Sequence, residues 1–126
     1  MLNFRQFDAG PDPFGRTFHV LFKWMQTAIA LRHSDTVDVK FVLESEGVRT
    51  EKTIALPHPA LLEAAGGLNR QLTDPWCSRI AARQLFHIIA TGEDMEKDLV
   101  TVSPARLAEL AEELEREERA AIEAAR

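Results

Sequence analysis

The period of the hydrophobic positions changes several times along the chain. The clearest stretch is Thr36 to Leu43, where Val37, Val39, Phe41 and Leu43 alternate with polar neighbours. Ser45-Glu46-Gly47 is turn chemistry, and Arg49 to Leu56 supplies a returning strand. That pattern predicts a β-hairpin with one buried and one wet face. The wet side is expected to carry Asp38, Lys40, Glu44 and Lys52, where cross-strand ion pairs can form. Upstream, Thr17 to His33 reads as a helix. Phe18, Leu21, Phe22, Met25, Ile29 and Arg32 share one face, and His19, Lys23, Gln26, Ala30 and His33 the other. Val20, Trp24 and Leu31 widen the apolar sector, so this helix is expected to be mostly buried. A strand over Thr17 to Phe22 is the lower-ranked reading.

Downstream, Pro57-His58-Pro59 ends the hairpin and Ala60 to Ala65 forms a short helix closed by Gly66-Gly67. Thr73-Asp74-Pro75 starts a second helix, with Asp74 as the N-cap and Pro75 at the first helical position. It is expected to run to Thr91, with Gly92 just past its end. After the acidic loop Glu93 to Asp98, Leu99-Val100-Thr101-Val102 is a short strand. Ser103-Pro104 repeats the cap logic, and a long helix follows to the terminus. The expected class is α+β: a small antiparallel sheet, made of a β-hairpin plus one short strand, packed against helices, with a long C-terminal helix.

Three regions follow from this pattern. Residues 1–15 form an N-terminal arm, because Gly10-Pro11-Asp12-Pro13-Phe14-Gly15 cannot continue a helix. Phe4, Phe7 and Phe14 are available to pin that arm onto the body. Residues 16–114 form a single compact domain, and 115–126 a projecting end of the C-terminal helix. Charge sharpens the division. Residues 1–92 carry 10 basic and 9 acidic side chains, whereas 93–126 carry 5 basic and 11 acidic ones. The net charge of −5 therefore resides in the loop and the acidic C-terminal helix, over a near-neutral body.

The single cysteine, Cys77, permits no intramolecular disulfide and excludes a stapled secreted scaffold. No apolar leader opens the chain, and the apolar run Val20 to Leu31 is too short to span a bilayer. A cytoplasmic protein without a membrane partner is the expectation.

Signatures of chemistry are few. Cys77 lies in the first turn of the Asp74-capped helix, where amide dipoles lower thiol pKa values. It also shares a sector with Ala81, Leu85 and Ile88, so a structural buried thiol is favoured. The four histidines lack metal-ligand spacing, and the acidic loop lacks the ligand pattern of a calcium loop. Gly66-Gly67 lacks the other glycines and the lysine of a phosphate loop, and no G-x-S-x-G is present. Neither cofactor nor metal nor catalytic residue is assigned.

Two surfaces stand out as partner-binding candidates, beside the hairpin edge. Arg79, Arg83 and His87 are stacked at i, i+4, i+8, with Trp76 at the top of their sector and no acidic partner within the helix. Their compensation comes either from the protein's own acidic segments or from a partner, since Trp and Arg dominate interface hot spots. The second is the C-terminal helix, with its stripe of Leu107, Leu110, Ala111 and Leu114 followed by the charged run Glu115 to Arg119. The expected function is a non-catalytic protein–protein interaction module or accessory subunit, bound to another protein chain or to itself. A small enzyme or ligand-binding domain using His58, Cys77 and Arg79 in a pocket between sheet and helices is the alternative. Weak nucleic-acid binding through Arg79 and Arg83 ranks below both, because an acidic protein offers little for counterion release.

Overall fold

The structure is a computed structural model that describes residues 4–28 and 35–125. Five strands form one sheet in the order β1 (Gln6–Ala9), β2 (Phe18–Ala28), β3 (Thr36–Ser45), β4 (Val48–Pro57) and β5 (Leu99–Thr101). Three helices among the described residues complete the α+β fold: α1 (His58–Gly67), α2 (Asp74–Thr91) and α3 (Pro104–Ala124). The sheet is larger than the hairpin-plus-strand expected, and it is mixed. Neighbours β1 to β4 pair antiparallel, but β5 runs parallel to β4, because α1 and α2 intervene and carry the chain back across the sheet.

The largest correction concerns residues 17–33. Phe18 to Ala28 is the strand β2, not a helix; residues 29–33 of that stretch lie outside the described residues. A β-bulge explains the error. Phe22 opposes Phe41 and Trp24 opposes Lys40, so Lys23 has no partner in β3. The core-facing set is therefore Phe18, Val20 and Phe22 before the bulge, and Met25 after it. The one-residue offset turns a period of two into spacings of four and three, which mimic a helical face.

The hairpin forms as expected, with Val37, Val39, Phe41 and Leu43 buried and Ser45 opposing Val48 at its turn. On the opposite face Lys40 and Lys23 both pair with Glu51, and Arg49 pairs with Glu44. Lys52 departs from expectation. It opposes Phe41 and so shares the core face with Ile54 and Leu56, only 4% exposed. Its ammonium group donates to the carbonyls of Met95 (3.1 Å) and Lys97 and lies 3.5 Å from that of Asp94. A buried charge must be hydrogen-bonded, and here it fastens the acidic loop to the sheet. Burial pushes the Lys52 pKa down, opposed by the nearby charges of Asp98, Glu96 and Asp94.

The arm is part of the sheet through β1, and its aromatics continue the core. Phe7 meets Phe41 edge-on at 6.4 Å, Phe41 meets Phe22 at 6.1 Å, and Phe22 meets Phe4 at 6.4 Å. Phe14 takes no part and is 83% exposed. Asp12 builds the turn between β1 and β2. Its Oδ1 accepts from the amides of Phe14 (3.0 Å) and Arg16 (2.8 Å), and its Oδ2 accepts from Arg16 Nε (2.8 Å). Burial raises the Asp12 pKa, but these bonds and the Arg16 charge outweigh it and hold the carboxyl below its ordinary value.

The cap at α2 also shifts by one residue. Thr73 Oγ1 accepts from Trp76 N at 3.3 Å, so Thr73 is the N-cap and Asp74 opens the first turn. Gly92 ends α2 with φ 77°, and an added Cβ would stand 2.9 Å from the Pro13 ring. The arm thus packs across the end of α2. Ser103 caps α3 as expected, accepting from Arg106 N at 3.1 Å.

Deleting Lys23 leaves every paired residue of β2 in register and should preserve cooperative unfolding at a cost of about 1–2 kcal/mol. Deleting Val39 slips β3 against both its neighbours and should abolish the transition; circular dichroism melts distinguish the two. The depressed pKa of Asp12 contributes stability that is complete above its unfolded value and lost as pH falls through the folded one. Asp12→Asn should therefore lower the urea midpoint at neutral pH, and its difference from wild type should narrow as pH falls below the ordinary aspartate value of 3.8.

Candidate functional site

Helix α2 crosses the core face of the sheet, and α3 packs on α1 and α2. Burial on two sides leaves α2 a narrow strip of accessible surface. Ile80, Ala81, Ala82, Leu85, Ile88 and Ile89 are fully buried, while Arg79, Arg83, Phe86, His87 and Ala90 border that strip. Trp76 does not stand at the top of it. It is 3% exposed, sharing an i, i+4, i+8 row with Ile80 and Gln84 that turns into the core. Leu107, Leu110 and Leu114 are likewise buried, holding α3 to the body. Of the seven expected partner-binding residues, Arg79, Arg83 and His87 come together beside open surface, and the buried Leu114 reaches the wall of the opening that Arg79 and Arg83 line; Trp76, Leu107 and Leu110 serve the core.

The three basic side chains are compensated from within the chain. Arg83 pairs with Glu113 (3.1 Å) and Glu117, Arg79 with Glu118 (3.1 Å), and His87 Nε2 lies 3.4 Å from Glu93. Arg70, in the loop before α2, adds pairs to Glu115 (3.2 Å) and Glu118. The charged run at 115–119 therefore lies along α2 for its first turn, and residues 119–125 are exposed. Burial works against the Arg83 cation, but hydrogen bonds to Glu117 and Glu113 and their charges raise its pKa. The guanidinium stays charged throughout the accessible pH range.

The Arg83–Glu117 pair bridges α2 to α3 and divides the open strip into two grooves. One, of about 500 Å³, is lined by Phe4, Arg79, Arg83, Leu114, Glu117, Glu118, Ala121 and Ile122. The other, of about 640 Å³, is lined by Phe7, Asp8, Arg83, Phe86, His87, Ala90, Arg106, Glu113 and Glu117. The wall opposite α3 comes from the N-terminal arm. Phe4 there lies between the guanidinium groups of Arg5 and Arg79, at 5.5 and 5.7 Å from its ring centre. Phe86 is 42% exposed in the larger groove and Ile122 59% in the smaller.

Sequence reasoning missed Phe4, Phe7, Phe86 and the glutamates of α3 as groove residues. Phe86 carried a usable signal, since it falls in the same helical sector as Arg79, Arg83 and His87. The arm residues carried none, because their position depends on strand pairing across the Asp12 turn.

The thiol is poorly suited to chemistry. Cys77 is 3% exposed, and burial, reinforced by the Asp74 charge, pushes its pKa up to about 11. The cavity lined by Arg79 includes neither Cys77 nor His58. Among the described residues no group of three or more His, Cys, Asp or Glu side chains is placed to hold a metal ion. No described helix is long and apolar enough to cross a membrane. Compared with protein-family models, curated proteins and solved structures, the chain shows no match.

If Arg83 couples α2 to α3, the Arg83→Met and Glu117→Gln variants should each cost about 1 kcal/mol. The double variant should cost less than their sum by about 0.5 kcal/mol. Urea titrations at low and high salt check both points, because salt should shrink the coupling of these half-exposed groups.

Proposed function

We propose that the protein is a non-catalytic protein–protein interaction module, an accessory subunit of a larger complex, which receives its partner in the groove beside α2. The observation that carries this reading is an open apolar floor, Phe7, Phe86 and Ala90, rimmed by charges already neutralised within the chain. Such a floor gains from desolvation against another apolar surface, and aromatic side chains at the centre of a patch with a polar rim are the usual anatomy of an interface.

The internal ion pairs weigh against nucleic acid. Binding a phosphate backbone draws on released counterions, and Arg79 and Arg83 are already countered by Glu113, Glu117 and Glu118. The raised pKa of Cys77 weighs against thiol-based catalysis, because the thiolate is the reactive species.

Affinity purification of the tagged chain from its native cells tests the reading, comparing wild type with Phe86→Lys and with Val48→Lys at the exposed hairpin tip. A co-purifying chain, a second copy included, should be retained by wild type and Val48→Lys and lost from Phe86→Lys. Identical recovery from all three, or none from wild type, sinks the proposal.

A further inference from the structure

The larger groove borders an edge strand. Among the described residues β1 pairs with β2 on one side only, and its other side closes the order of the sheet. Phe22 N donates to Arg5 O at 2.8 Å, and antiparallel alternation then turns the backbone of Phe7 and Ala9 toward β2. The N–H and C=O groups of Gln6 and Asp8 consequently point away from the sheet, and no described residue pairs with them. The α2 side chains Phe86 and Ala90 line the same groove as Phe7 and Asp8 of that strand and give it an apolar floor.

We propose that a second copy of this chain fills that space by adding its own β1 antiparallel to this one, giving a two-fold dimer with a continuous sheet. The inference rests on the groove being a protein-binding surface and names its occupant. What favours a second copy is the self-complementarity of β1. A two-fold axis at Phe7 sets Gln6 opposite Asp8 of the second copy, and the reverse. The four outward backbone groups on each side then meet in hydrogen-bonded pairs. The same register places an amide side chain against a carboxylate and keeps the two Asp8 charges from standing opposite each other. Asp8 Oδ1 is held at 2.8 Å from His19 Nδ1, which leaves Oδ2 for the Gln6 amide. On the helix side, Phe7 of each copy meets the other across the axis above Phe86. An unpaired strand edge otherwise invites open-ended association; the two-fold arrangement closes it.

Light scattering across a dilution series on the full chain tests this, with Gln6→Pro and Phe86→Lys as variants. Proline at Gln6 removes only an outward-facing donor, which an edge strand tolerates. A far-UV spectrum and melt like wild type should confirm that each variant folds. Wild type should show twice the mass of one chain, and both variants the mass of one chain. A wild type that is monomeric at every concentration overturns the dimer, while a heterologous partner lost from Phe86→Lys in the purification would leave the interaction reading standing. A dimer that survives Gln6→Pro also overturns it, since the copies would then meet through another surface.

Discussion

Everything in this fold depends on α2 being buried from two directions. Its sheet-facing side covers the core face of four strands, and α3 covers a second side. Ile80, Leu85, Ile88 and Ile89 are fully buried, and burial of such side chains stabilises by about 1.5–3 kcal/mol each. The ion pairs above them are half-exposed and contribute about 0–1 kcal/mol each. Apolar packing therefore decides that the layers form, and the charges decide how α3 lies on them. The leucine stripe of α3 alone would permit sliding by a turn. Glu113 and Glu117 on either side of Arg83, with Glu115 and Glu118 at Arg70 and Arg79, select one register.

The sequence features that were legible are those whose cause is local. The alternation at Val37 to Leu43, the turn at Glu46-Gly47, the Ser103 cap and the Gly92 stop each depend on neighbours a few residues away, and each forms where the pattern places it. The Thr73 cap competes with Asp74 over a single residue and falls to the threonine. What was not legible depends on partners distant in the chain. The bulge at Lys23 is a property of two strands, and on one of them it counterfeits a helical face. Lys52 has the parity of Ile54 and Leu56, but its charge argues for the wet side, where the sequence reading puts it. Only the carbonyls of the 94–97 loop, more than forty residues on, make a buried lysine tolerable there.

Of the candidate site, the three basic positions on α2 were visible from spacing, and so was the chain's own acidic helix as one source of their compensation; which glutamate meets which arginine was not. A helical wheel of α2 shows one apolar side and assigns the remainder to solvent. It cannot show a third layer. Trp76 is buried, and the glutamates of α3 neutralise Arg79 and Arg83. What began as a basic face becomes an apolar strip between two sets of paired charges.

That exchange constrains how any partner is recognised. To draw on Arg83, an acidic partner would have to displace two glutamates held on the same chain, whose effective concentration is set by a packed helix. Such competition gains little, because one carboxylate replaces another at nearly equal energy. The floor of Phe7, Phe86 and Ala90 and the outward groups of Gln6 and Asp8 face no internal competitor among the described residues. Discrimination at this surface therefore falls to backbone pairing and apolar fit, modes in which an extended strand supplies hydrogen bonds along its edge and alternate side chains below it. The charges flanking the groove contribute by staying paired, since a broken pair left buried under a partner would cost more than the contact returns.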